Sequence, residues 1–125
     1  MLNKKRIIQA EKLCLSGAYL LHHKDAKNVC NGIGPAWFPA WLRTLANTLC
    51  PALITAALIH DMRYHLGGSC HARRFADAEF MANALIAAEA KYKYFPPARW
   101  LTEWVALKMF HLLRLAGKTA WRADS

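Results

Sequence analysis

Apolar residues recur at helical spacing through most of the chain, and polar or Gly/Pro-rich breaks separate the repeats. Ile7, Ile8, Leu13, Cys14, Leu15, Tyr19 and Leu20 form one stripe, with Lys4, Lys5, Gln9, Glu11 and Lys12 largely off it, which predicts a helix over 4–23. "HHKDAKN" reads as a polar loop, and "CNGIGPAWFPAW", with two Gly and two Pro, as a second loop in which some positions need unusual backbone angles. A short helix over 42–49 must stop before Pro51. Pro51 then opens the next helix, which runs to about Leu66. "GGSCH" is a turn. "ARRFADAEFMANALIAAEAKYKY" is rich in good helix formers, with Phe75, Phe80, Met81, Leu85 and Ile86 as its expected buried set, and Pro96-Pro97 closes it. A last helix over 99–116 carries Trp100, Leu101, Trp104, Val105, Met109, Leu112 and Leu113 and stops at Gly117. No strand-like alternation of useful length appears. The expected fold is all-α: one domain over 1–125, built on an antiparallel helix pair with a Gly-rich loop before it and amphipathic helices at both ends.

Composition narrows this picture. A hydrophobic fraction of 55% with five Trp argues against disorder. The region 29–59 carries only Arg43 as a charge, but its Gly and Pro residues prevent a single spanning helix. Lys4, Lys5 and Arg6 begin the chain as a signal peptide would, yet Gln9, Glu11 and Lys12 interrupt the apolar run that should follow. The expectation is therefore synthesis in the cytoplasm with reduced thiols, any extracellular role needing another export route or release at lysis. Cys14, Cys30, Cys50 and Cys70 include no CxxC pair, so structural zinc is weakly supported, and the pairing of any disulfides stays open.

A formal charge of +9 points to an anionic partner. No helix-turn-helix or zinc-finger spacing is present, and the aromatics sit in apolar runs rather than among basic residues, which argues against nucleic acid. The Trp/Leu face of the last helix is most simply core. With Lys108, Arg114, Lys118 and Arg122 nearby, it also suits a helix lying in a membrane interface.

The candidate chemistry sits in "LITAALIHDMRYHLGG", an apolar run ending in His60-Asp61 and then Tyr64. Helices joined by a tight turn pack antiparallel. His60 and Asp77 lie about equally far from the turn at Gly68-Ser69, so they should face each other at one height. Tyr64, one turn after His60 on the same face, could reach Asp77. A carboxylate on His60 Nδ1–H would fix the tautomer and leave Nε2 to take a proton. Asp61, about a quarter-turn away, is left to bind a cation. Ca²⁺ favours carboxylate and backbone carbonyl oxygens, and "CNGIGP" is the best loop to provide the carbonyls. A His-Asp phosphohydrolase also uses an HD pair, but it needs further ligands on other helices in a longer chain.

Together these residues resemble the phospholipase A2 superfamily, which combines a G-x-G calcium loop, a helical H-D-x-x-Y and a second helix whose aspartate pairs with the histidine. Gly32-Ile33-Gly34 looks like the loop and His60-Asp61-Met62-Arg63-Tyr64 like the helix motif. "RRFADAEF" is similar to the A-D-x-x-F segment of small prokaryotic and fungal members and of a phage-associated family. The resemblance covers about residues 30–85. It implies His60 as the base that activates water, Asp77 with Tyr64 holding His60, and Ca²⁺ on Asp61 and the carbonyls of Cys30, Gly32 and Gly34. It also implies a glycerophospholipid cut at its sn-2 ester on a membrane to which the protein binds peripherally. The chain departs from the animal enzymes in having no cysteine beside the motif, and Pro35 follows Gly34 where many members have glycine. A non-catalytic binding or structural protein, phage or accessory, that retains the scaffold is the alternative.

Overall fold

The computed structural model describes residues 2–29, 39–116 and Trp121. Among them the chain is helical, with no strand: α1 (Lys4–Lys12), a 3-10 turn (Ala18–His22), α2 (Ala26–Val29), α3 (Ala40–Leu49), α4 (Pro51–Leu66), α5 (Cys70–Lys91) and α6 (Pro96–Ala116).

The helix α4 is the centre of the arrangement. It is apolar on every side, as a helix enclosed by others must be, and it is buried from Ala52 through His60 without interruption. One face joins Leu42 and Ala46 of α3, Phe80 and Ala84 of α5, and Val105 and Met109 of α6 in a single core. The other, through Leu58, Ile59 and Met62, packs on Ala10, Leu15, Leu20 and Leu21 of the N-terminal segment. Pro51 occupies the first turn of α4, where a missing N–H costs nothing. Gly67, at φ 71°, ends it in a conformation that disfavours other residues. Ser69 then caps α5 by accepting from the Ala72 N–H at 3.2 Å.

The all-α expectation is met, and α4 has its expected limits. Four local expectations are corrected. The helix expected over 4–23 ends at Lys12, because Cys14 (φ 57°) and Gly17 (φ 80°) take left-handed angles and the chain re-enters as a 3-10 turn. The polar loop after it contains α2. Pro96 opens α6, since α5 already stops at Lys91. The expected buried set of α5 is largely outward: Phe75 is 56% exposed, and Leu85 and Ile86 are also exposed. The inward face is instead Ala76, Asp77, Phe80, Asn83, Ala84 and Ala87, whose mostly small side chains let α4 and α5 approach closely. The Gly117 stop lies outside the described residues.

Candidate functional site

The turn at Gly67-Gly68 sets α4 and α5 antiparallel and brings His60, Tyr64 and Asp77 together. Asp77 Oδ1 accepts from His60 Nε2 at 2.7 Å and from the Tyr64 hydroxyl at 2.7 Å. His60 and Asp77 are 1% and 0% exposed. The nitrogen that meets Asp77 is therefore Nε2, not Nδ1 as expected from sequence. Nε2 is farther from the backbone, and it is the atom that spans the gap between the helices. A carboxylate offers only acceptors, so Nε2 carries the hydrogen, and in the neutral ring Nδ1 is the basic nitrogen.

Two arginines complete the cluster, and sequence reasoning missed both. Arg114 of α6 donates from Nη1 to Asp77 Oδ2 at 2.5 Å, so both carboxylate oxygens are occupied. Arg73 donates from Nε to the Tyr64 oxygen at 3.2 Å, and from Nη2 to the carbonyls of Leu113 and Arg114 at 3.0 and 3.2 Å. Those carbonyls belong to the last turn of α6, which lacks helical donors there. The two arginines thus tie the end of α6 to the His60 site. Around it, the Tyr64 ring lies 4.2 Å from that of His60, Phe80 meets His60 edge-on, and Trp121 packs at a right angle on Tyr64 while donating to Gly68 O.

The charge states follow. Burial would raise the Asp77 carboxyl, but hydrogen bonds from His60, Tyr64 and Arg114 together hold it below the usual range. Burial lowers His60, and the Asp77 carboxylate only partly opposes this. Burial, and then the bond to Asp77, push the Tyr64 phenol up. At neutral pH the site is a neutral imidazole on an ionised carboxylate, a combination suited to accepting a proton.

Asp61 stands apart from this cluster, as expected. Burial pushes its carboxyl up to about 8, and among the described residues its side chain forms no hydrogen bond or ion pair. A desolvated carboxylate without a counter-charge is chemically suited to a cation. Cys30, Gly32 and Gly34, the other expected ligands, lie outside the described residues. Among the described residues no three His, Cys, Asp or Glu side chains form a metal cluster. Cys14, Cys50 and Cys70 are free thiols.

A second polar cluster was also missed. Glu79, buried on α5, accepts from Arg63 at 2.9 and 2.8 Å and from the Ser16 hydroxyl at 2.7 Å. Asn83 accepts from Ser16 N–H and donates to Ser16 O. Asp77, Phe80, Asn83 and Ala84 recur at helical spacing, and this was the available signal. A search for large apolar residues passes over it.

No family model, curated protein or solved structure matches the chain.

Proposed function

We propose that this protein is a small phospholipase A2-like hydrolase that cuts the sn-2 ester of glycerophospholipids at an anionic membrane surface. The observation carrying the proposal is the buried Asp77 carboxylate, held by Tyr64 and Arg114 and bonded to His60 Nε2. Asp77 fixes the tautomer and stabilises the imidazolium that forms when His60 takes a proton from water. Tyr64 and Arg114 position Asp77 and do not touch the substrate. Ca²⁺, when bound with Asp61 as a ligand, supplies positive charge for the oxyanion of the attacked ester.

The membrane part of the proposal draws support from α6. Trp100 and Trp104 are 62% and 47% exposed, and Leu101, Leu107 and Leu115 are exposed beside them. The expectation that this Trp/Leu face is core is corrected for the two tryptophans and Leu101: Val105, Ala106, Met109 and Leu113 fill the inward side. Lys108 lies over the Trp104 ring, an aromatic-cationic pairing suited to the headgroup level.

The second reading, a non-catalytic helical protein, also has a specific observation in its favour. The Asp77–Arg114 ion pair bolts α5 to α6, and the His60–Asp77 pair is almost wholly buried, as a purely structural cluster would be. The test is fatty-acid release from phosphatidylglycerol/phosphatidylcholine vesicles, with millimolar Ca²⁺ and with chelator. Calcium-dependent release is expected. No release with Ca²⁺, together with no thermal shift on adding Ca²⁺, selects the second reading.

A further inference from the structure

At the N-terminal end of α4, away from His60, lies a cavity of about 590 Å³ between α1 and the end of α5. His60 is roughly 14 Å further along the same helix. The floor is apolar and includes Leu13, Cys50, Pro51 and Ala87. The wall carries Lys5, Arg6, Lys12 and Lys91, and among the described residues no acidic side chain lines the cavity.

Among the described residues this concentration of positive charge is not internally compensated. Among the described residues, none of these four cations pairs with a carboxylate, whereas Arg63, Arg99 and Arg114 each do. Arg6 is partly buried and donates only to a neutral carbonyl, that of Pro51, at 3.2 Å. Burial without a counter-charge lowers its pKa. Its own N–H is satisfied by Asn3 Oδ1, and Gln9, beside it on α1, is engaged by Thr55. These contacts preorganise the wall; beyond the Arg6 bond to Pro51 O and the Lys91 contact with the Tyr92 ring, the cationic groups can face a ligand. Two helix starts, those of α1 and α4, add partial positive charge, which the end of α5 offsets in part. The Cys50 thiol on the floor is pushed up by burial and sits 3.7 Å from Ala87 O, so it acts as apolar lining, not as a nucleophile.

We infer that this cavity is a binding site for a phosphate ester, with the phosphate held by Arg6 and the lysines and a compact uncharged portion on the floor. A phosphate dianion matches several convergent cations better than a carboxylate does, and Arg6 offers it a planar fork. The volume lies within the range of small-molecule sites, about 300–1,000 Å³. The site does not depend on the hydrolase reading, because it is separate from His60 and its test is binding.

The experiment is calorimetric titration of the full chain with glycerol 3-phosphate, alongside flotation with phosphatidylcholine vesicles with and without phosphatidic acid. Lys5→Gln/Lys12→Gln/Lys91→Gln removes three exposed cavity charges. Lys24→Gln/Lys27→Gln/Arg74→Gln removes the same charge elsewhere. Saturable binding of glycerol 3-phosphate, weakened about tenfold or more in the cavity variant and less than about twofold in the control, is expected for a free phosphate ester. The same contrast seen only with phosphatidic acid vesicles assigns the phosphate to a lipid headgroup. Absence of binding in both arms, or equal loss in both variants, overturns the inference.

Discussion

Asp61 and the His60–Asp77 pair respond to pH in opposite directions. Folding depresses the pKa of His60 and of Asp77. Their stabilising contributions are complete above the unfolded values, about 6.5 and 3.9, and are lost as pH falls below each. Folding raises Asp61 to about 8, so its protonated form is favoured. Its contribution is present in acid and is lost as pH rises from about 4 to 8. Asp61→Asn is therefore expected to raise the melting temperature at pH 8 without Ca²⁺, by on the order of 1–3 kcal/mol of stability, and to change little at pH 4. Thermal melts at both pH values check this; equal shifts at the two would contradict it. Arg114→Ala exposes the opposite dependence. It leaves a buried carboxylate oxygen without its charged partner, with an expected loss of about 2–4 kcal/mol at pH 7, measured by urea unfolding, that shrinks as Asp77 protonates. At this scale the geometry was legible: the HD-x-x-Y spacing and the matched height of Asp77 anticipate the contact of His60 and Tyr64 with Asp77. The ring nitrogen was not, because it depends on the distance between helices. Arg114 comes from a helix whose packing the local pattern does not encode.

Polar clusters join the elements alongside the apolar core. Ser16 and Gly17 fold the N-terminal segment onto α5, where Glu79 and Asn83 receive it. Gly17 is required twice over. Its φ of 80° suits glycine, and an added Cβ would stand 2.9 Å from Ile59 Cγ2 and 3.1 Å from the Glu79 carboxylate. Gly17→Ala is expected to cost about 1–3 kcal/mol in chemical denaturation. A neutral result would show that the 12–18 segment can re-route. Glu79→Ala strands the partly buried Arg63, with an expected loss of about 2–4 kcal/mol. Helix limits set by Pro51 and Gly67 could be read from the sequence, whereas the turn expected over 67–71 gives way to α5 already at Cys70, capped by Ser69. The interruption after Lys12 could not be read, because apolar periodicity continues through it, and tertiary hydrogen bonds from Asn83 and Glu79 override the local helical preference. The inward face of α5 was misread for a related reason: close helix packing selects Ala76, Ala84 and Ala87 and turns Phe75, Leu85 and Ile86 outward.

For the whole molecule, the charge of +9 and the exposed Trp100, Leu101 and Trp104 of α6 are the features on which the proposed anionic bilayer partner rests. No described helix is long and apolar enough to cross a membrane. Association with anionic vesicles should weaken as salt rises, since each basic residue near the surface contributes about 1 kcal/mol. Trp100→Ala/Trp104→Ala should reduce vesicle binding measured by flotation while changing stability by no more than about 1 kcal/mol, because both rings are largely outside the core. A large loss of stability would place them in packing instead. All-α architecture was legible from the periodicity. The outward turn of the tryptophans was not, since the apolar pattern of α6 is wide enough to permit more than one buried face.

In the proposed hydrolysis, His60, oriented by Asp77, is the base. The most direct measurement is the initial rate of fatty-acid release from anionic vesicles with Ca²⁺ for the native chain and for His60→Gln, with circular dichroism verifying that the variant folds. Measurable release by the native chain is expected, with a fall of about 10²–10⁴-fold in a folded His60→Gln. Equal rates in the two proteins, or no release by the native chain, would contradict the proposal.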